Sequence, residues 1–579
     1  MTRDDNAEHV ALAKRFAALS PAQRTLLRKK RAAGMARGAD LLAQSLRQCG
    51  VTHVYAVAGG PTQQALPAVA RLGLRVIGAC HQTAATLMAL AHNYQAGRLA
   101  AIALVSAGPA VSNAVTGLLV ARENGWPVLV LGGQQETFQR FDATTLCRSV
   151  AKSVVVPRSA AEIPAAIAAA AGTAMAGRPG PVYVDLHGDV LAAAVRGAAA
   201  PCGPSIPASP PPDPAEVPRV LEILRAARRP AAIIGEGVRW TVRPDLLREA
   251  VEAFGLAVIT SPMGRGFLSD EHPLCFNQAR SAVQNGADVV LVIGARLDWR
   301  FRHGAELSGQ ARVFLVDAEP EAAPAGPAVQ TLALAPGMFL EALRAAAGPA
   351  PGAGSAARAE WHRSLRAIAA ATARRAQRHA VDERLPMSPY RAMAEIRRVM
   401  PEDALCITDG NIALRASQAM LPCLRPASRM DPGAIACMGV GVPFAIGARV
   451  AVTDRPVLLV TGDYAFCLSA MELDVCVRQR IPVIVVVINN EGNCGATKQH
   501  SYFSPYTDER VTQSQSGLQY DTVMRMFGGE GITVADPQSL RSALRRALAG
   551  NRPACINVLV DPDTAPRNAW GEQATGESG

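Results

Sequence analysis

Residues Val460 to Asn493 read VTGDYAFCLSAMELDVCVRQRIPVIVVVINNEGN, and this stretch decides the fold. A short apolar run ends at Thr461, a helical pattern follows, and a second run, Val483 to Ile488, ends just before Asn489-Asn490. Two such runs joined through a helix form the βαβ unit of a parallel sheet buried on both faces. Gly462-Asp463 turns the chain at the carboxyl end of the first strand. In an open parallel sheet these strand ends lie side by side, where ligands bind. Asp463 and Asn490 stand 27 residues apart in the chain but on neighbouring strand ends, where they offer hard oxygen atoms, and Gly492 adds its backbone carbonyl. This donor set suits Mg²⁺, which prefers oxygen and often bridges a diphosphate to protein.

The same alternation fills the rest of the chain. Val51 to Val57, Ala101 to Val105 and Val128 to Leu131 read as strands of a first unit. Ala231 to Ile234, Val289 to Ile293 and Val313 to Val316 belong to a second, and Ala404 to Thr408 joins the runs quoted above in a third. Two Pro/Gly/Ala-rich stretches without hydrophobic periodicity, Arg196 to Glu216 and Ala345 to Glu360, read as linkers. The expected organisation is an α/β protein of three doubly wound parallel-sheet domains, residues 38–195, 217–345 and 361–565, preceded by a basic helical extension, residues 1–37. The extension carries two short amphipathic patterns broken at Ser20-Pro21, an N-cap followed by a first-turn proline. Its second pattern, AQRTLLRKKRAAG, suggests either a helix packed on the domain surface or a docking element for an acidic carrier protein.

Composition narrows the function classes. A chain of 579 residues, 49% apolar and 18% charged, is a folded multidomain protein, not a small module or a disordered chain. The net charge of +11 raises the question of an anionic partner, but Arg outnumbers Lys by 54 to 5 along the whole chain, which reads as genomic arginine bias and argues against nucleic acid. The twelve cysteines form no CxxC pair, so neither a disulfide framework nor a structural zinc site is expected. No signal-peptide pattern opens the chain, and no apolar run reaches the length of a membrane span. A cytoplasmic protein with no membrane partner is expected.

With the metal-ligand pattern in place, the chain resembles the thiamine diphosphate (ThDP) enzymes of the acetolactate synthase and pyruvate decarboxylase superfamily over about residues 38 to 565. Further landmarks carry the resemblance: VYAVAGGP at Val54 to Pro61, SAGPAVSNAVTG at Ser106 to Gly117, GRPGPVYVDLHGDV at Gly177 to Val190, and MGVGVPFAIGA at Met438 to Ala448. GARLDW at Gly294 to Trp299, RMDPGAIACMGVG ending at Gly441, and MFGGEGITV at Met526 to Val534 are most similar to the 2-hydroxyacyl-CoA lyase and oxalyl-CoA decarboxylase branch. The resemblance implies a pyrimidine-binding first domain, a central domain and a diphosphate-binding third domain. It also implies a homodimer or homotetramer whose cofactor lies between the first domain of one chain and the third of another. It assigns Met438 to the apolar wedge beneath the bent cofactor and the Ala436 carbonyl to the acceptor for its 4′-amino group. Gly410, Asn411, Gly462, Asp463, Tyr464 and Asn490 are placed around the diphosphate, and Asp463, Asn490 and Gly492 on Mg²⁺. Tyr464 stands where the familiar motif has a third glycine.

One family feature is replaced. In relatives a glutamate of the first domain hydrogen-bonds N1′ of the aminopyrimidine and promotes loss of the thiazolium C2 proton; here the segment reads His81-Gln82-Thr83-Ala84-Ala85, with Gln82 in its place. An amide does not shuttle a proton, and its NH₂ donates to N1′. Three readings stay open: the chemistry tolerates the loss, another group such as His81 takes over, or the chain is a non-catalytic ThDP-binding subunit. Nearby, Phe138-Gln139 stands where the oxalyl-CoA branch carries a Tyr-Glu pair, and Cys494 where that branch carries a tyrosine. His500 and Tyr502 fall on a segment expected to close over the substrate, His500 as an acid-base candidate. Arg296 and Asp317 match the central crevice where relatives bind FAD or ADP; ADP or a CoA-type nucleotide stays open and FAD is not expected. The leading expectation is a Mg²⁺/ThDP-dependent carbon-carbon lyase or carboligase acting on a 2-oxo acid or a CoA- or carrier-bound 2-hydroxyacyl thioester. The alternative is a catalytically degenerate ThDP-binding or regulatory protein.

Overall fold

The structure is a computed structural model that describes residues 35–134, 138–196, 203–205, 216–320, 329–346, 356–493 and 512–564. It contains three open, all-parallel sheets. The first holds β1 (His53–Ala56), β2 (Arg75–Gly78), β3 (Ala101–Ala107), β4 (Val128–Gln134), β5 (Ser153–Val155) and β6 (Pro181–His187) in the order β2-β1-β3-β4-β6-β5. The second holds β7 (Pro230–Ile234), β8 (Ala257–Thr260), β9 (Val289–Ile293), β10 (Arg312–Asp317) and β11 (Val329–Ala333) in the order β8-β7-β9-β10-β11. The third holds β12 (Leu405–Asp409), β13 (Arg429–Met430), β14 (Val457–Gly462), β15 (Ile484–Asn489), β16 (Glu530–Val534) and β17 (Ala554–Leu559) in the order β13-β12-β14-β15-β17-β16. Every residue of β14 and β15 is buried, as strands covered by helices on both faces require.

Six helices matter for the site: α1 (Gln82–Ala96), α2 (Pro109–Asn124), α3 (Asn411–Met420), α4 (Gly441–Ala451), α5 (Asp463–Cys467) and α6 (Leu473–Arg478). The first and third sheets share one strand order, and their equivalent helices meet: α1 follows the second strand of its sheet, α4 follows the second strand of its own, and the two pack together. Gly447 sets their approach, because a Cβ there would collide with the Met88 backbone carbonyl. One continuous core runs through this contact, with Met88, Leu118 and Trp126 from the first unit and Phe444, Leu459 and Val485 from the third.

Three details differ from the sequence reading. Met35–Arg37, counted with the extension, pairs antiparallel with Ala194–Arg196 and so closes the first unit; a ladder between residues so far apart leaves no local signal. The stretch read as a second linker is shorter, since one helix runs to Ala346 and another spans Ala356–Ala380. Ala and Arg are strong helix formers even without an apolar stripe, and the breakers cluster at 348–354. That long helix joins two cores, with Trp361 and Leu365 in the central one and Ala380 in the third. The helix after Gly462 is also split, α5 and α6 being separated by a 3₁₀ turn at Ala470–Glu472. The two helical patterns of the N-terminal extension lie outside the described residues. Among the described residues, no helix is long and apolar enough to cross a membrane.

Candidate active site

The site is built where the third sheet reverses its winding. β12 and β14 are neighbours, with Asp409 beside Thr461, and their connections leave toward opposite edges. Gly410 (φ +82°) caps α3, and Gly462 caps α5. The two turns approach so closely that a Cβ on Gly410 would lie 3.2 Å from the Gly462 nitrogen and 3.2 Å from the Ala465 Cβ. The N-terminus of α3 opens at this cradle with N–H groups free of intrahelical partners, an arrangement that favours anions. The Asn411 side-chain oxygen accepts from Arg415 at 2.8 Å.

Asp463 is 1% exposed and, among the described residues, receives only backbone donors, including Tyr464 N at 2.7 Å and Gly492 N at 2.9 Å. Among the described residues no lysine or arginine pairs with it, and burial pushes its carboxyl up to about 7. Asn490, 2% exposed, lies at the end of β15, and its Nδ2 has no partner among the described residues. Glu491 (φ +62°) and Gly492 (φ +139°) turn the chain back so that Gly492 meets Asp463. No group of three or more His, Cys, Asp or Glu side chains gathers among the described residues, so an ion here relies on one carboxylate, one amide and a backbone carbonyl. A buried carboxylate without a counter-charge among the described residues is a place that a hard divalent cation would complete, with the Asn490 amide oxygen at the neighbouring strand end as a further oxygen donor.

The segment Asp431–Gly441 stands over this cradle, and all three units hold it. From the third, Asp409, 1% exposed, accepts from Gly410 N at 2.8 Å, Gly439 N at 3.0 Å and Gly441 N at 2.8 Å. Burial pushes its carboxyl up to about 6. From the first, Asn124 at the end of α2 accepts from Ala434 N at 2.8 Å and donates to the Pro432 carbonyl at 3.3 Å. From the second, Trp299 Nε1 donates to the Ala434 carbonyl at 2.7 Å. Thus anchored, the loop holds Ala436 in the left-handed region (φ +53°), a conformation costing roughly 1–2 kcal/mol for a residue with a Cβ. Met438 follows, 37% exposed, and Ile435, Tyr464, Leu468 and Met471 are also uncovered apolar side chains. Asp409, Asn124 and Trp299 were not singled out from the sequence, although Asp409 stands visibly before Gly410 at a strand end.

In the first unit Gln82 opens α1, and its Oε1 accepts from Asn113 Nδ2 at 3.0 Å. His81 is the N-cap, its ring nitrogen accepting from Thr83 N at 3.2 Å. The N–H groups of Cys80 and His81 donate to the buried Glu472 carboxylate at 3.0 and 2.9 Å, and burial raises that carboxyl. Gln139 (φ +55°) lies against Gly108, the cap of α2, so it shares this end of the first sheet. Among the described residues, no hydrogen bond joins Gln82 to Ala436, Met438 or Asp463 within one chain. Arg296 and Asp317 line a narrow central cleft, where Arg296 pairs with Glu123 at 2.8 Å and burial raises Asp317. Cys494, His500 and Tyr502 lie outside the described residues.

Comparison with known proteins agrees with this layout. Residues 36–146 match the family described as thiamine pyrophosphate enzyme, N-terminal TPP binding domain, residues 217–343 its central domain, and residues 410–558 its C-terminal TPP binding domain. The chain is 30% identical over 565 residues to 2-hydroxyacyl-CoA lyase 1 of Mus musculus, covering 91% of this chain and 94% of that protein. It is 30% identical over 540 residues to acetolactate synthase large subunit IlvG of Mycobacterium tuberculosis, covering 91% and 97%. It is 27% identical over 564 residues to oxalyl-CoA decarboxylase of Escherichia coli, covering 91% and 95%. Three parallel-sheet units in the right order, a glycine-turned cradle and these matches make the chain a member of the thiamine pyrophosphate enzyme family.

Proposed function

We propose that the chain is a Mg²⁺/ThDP-dependent carbon-carbon lyase or carboligase acting on a 2-oxo acid or a 2-hydroxyacyl thioester. The observation that carries this reading is the buried, uncompensated Asp463 beside Asn490, set against the paired turns of Gly410 and Gly462. Bound ThDP supplies the electron sink that lets a bond next to a carbonyl carbon break or form. In this reading Asp463, Asn490 and the Gly492 carbonyl hold Mg²⁺. Gly410, Asn411, Gly462 and Tyr464 border the diphosphate. Met438 and the Ala436 carbonyl fix the cofactor's bend and its amino group, and Gln82 donates to the ring nitrogen. Gln139 and His500 are assigned to the substrate side.

The exposed apolar side chains Ile435, Met438, Tyr464, Leu468 and Met471, from the loop and helices around the cradle, support assembly of two copies, with Gln82 of one chain facing the cradle of the other. The central cleft at Arg296 and Asp317 is assigned to an adenine nucleotide or the nucleotide end of CoA. Residues 1–37 are assigned to an acidic carrier protein bearing the substrate; deleting them is expected to lower turnover of a carrier-tethered substrate and spare the free thioester, and equal rates on both would remove that assignment.

Gln82 favours a second reading, a degenerate ThDP-binding or regulatory protein. The two separate on one assay: turnover of a 2-oxo acid or 2-hydroxyacyl thioester that needs added ThDP and Mg²⁺ and disappears in Asp463→Ala supports an enzyme. ThDP binding without any turnover supports the second.

A further inference from the structure

Gln82 is not free to present either end of its amide. Its Oε1 is occupied by Asn113 Nδ2 at 3.0 Å, so its NH₂ is the end that remains for a ligand. The Asn113 backbone is tied to the same helix, its carbonyl accepting from the Thr83 hydroxyl on the first turn of α1. Gly117, one turn further along α2, lets the two helices close, since a Cβ there would lie 2.6 Å from the Thr86 Cβ. The neighbouring His81 is held by its Nδ1, which caps α1 through Thr83 N.

Resting on the proposal that Gln82 meets the aminopyrimidine, we infer that Asn113 is a positioning residue that sets Gln82 as a hydrogen-bond donor to the ring nitrogen N1′. A donor at N1′ requires the ring to keep its lone pair there, so the unprotonated aminopyrimidine is the form that binds best. Asn113 thereby decides which protonation state of the cofactor the chain selects.

The test uses the full chain with Mg²⁺ and ThDP, read by titration calorimetry for affinity and by near-ultraviolet circular dichroism of the bound pyrimidine across pH. Asn113 is exposed on α2, so its substitution leaves the fold intact. Asn113→Ala frees the amide to rotate and is expected to weaken ThDP binding roughly 2- to 10-fold, the range of one hydrogen bond. Asn113→Asp offers only acceptors, so the Gln82 NH₂ turns toward the introduced carboxylate and Oε1 turns toward N1′. The pH at which the bound pyrimidine titrates is then expected to rise by about one unit or more. In a Gln82→Ala background the same Asn113→Asp substitution should move that pH much less. Equal weakening by both variants with an unmoved titration would overturn the inference, as would an equal shift without Gln82. Wild-type protein that binds no ThDP would instead overturn the reading on which the inference rests.

Discussion

Asp463→Ala is expected to weaken Mg²⁺-dependent ThDP binding by at least about 100-fold while leaving the apo-protein folded, because the two backbone N–H groups that lose an acceptor are offset by removal of a buried carboxylate with no counter-charge. Loss even of an outer residue of a metal site typically costs 10- to 100-fold, and Asp463 supplies the one charged side chain of this set. The same carboxylate is a burden without the ion, because it is 1% exposed and meets only backbone N–H groups. Removing it therefore takes away the cation site and not a structural ion pair. A ligand at about 100 times its dissociation constant stabilises a folded protein by about 2.7 kcal/mol. Thermal melts should show an upward shift with ThDP and Mg²⁺ in wild type and none in the variant. A variant that still gains the full upward shift with ThDP and Mg²⁺, or binds ThDP as wild type does, would contradict this assignment.

Asp409→Ala is expected to act differently, lowering both the stability of the protein and its affinity for ThDP. Asp409 is the shared acceptor for Gly410, Gly439 and Gly441, and each buried N–H left without an acceptor costs about 1–3 kcal/mol. Together these amount to roughly 3 kcal/mol or more, and the loop bearing Ala436 and Met438 loses its anchor on the third unit. Asp409→Asn separates charge from shape, since an NH₂ at the Oδ2 position faces two donors, Gly439 N and Gly441 N. There is also a pH signature. Burial raises this carboxyl from 3.8 to about 6, so between those values the folded protein binds its proton more tightly than the unfolded chain. Stability is therefore expected to fall as pH rises through that window, by about 3 kcal/mol for a difference of roughly two pKa units. Asp431 and Asp463, raised by burial to about 6 and about 7, contribute in the same direction, so Asp409→Asn should flatten the slope in part and not abolish it. Denaturant midpoints between pH 4 and 7 measure it, and a slope of opposite sign would refute the account of Asp409.

What could be read from the chain and what could not divides by the range of the interactions. Three central strands of each sheet are legible because short β-branched runs alternate with helices, and Asp463 and Asn490 stand at the ends of two such strands. The ties that shape the site were not. Asn124 reaches Ala434, Trp299 reaches the same residue from another unit, and Glu472 caps the backbone before Gln82, all across more than a hundred residues of chain. None of these leaves a periodic or compositional trace. Gly447 carries no mark of its role in the sequence, because that role depends on the Met88 backbone of another unit. The glutamine at position 82 was plain in the sequence, but its orientation was not, because it depends on Asn113 of another helix.

The central claim is that this chain binds ThDP productively with a glutamine in place of the usual glutamate. The most direct measurement is the exchange of the thiazolium C2 proton of ThDP bound to the full-length protein with Mg²⁺, compared with free ThDP and with Gln82→Glu. An enzyme should exchange the proton faster than free ThDP, and Gln82→Glu should accelerate it further by roughly 10²- to 10⁴-fold, the worth of general acid-base assistance. Exchange in the wild-type complex no faster than in free ThDP would contradict the account.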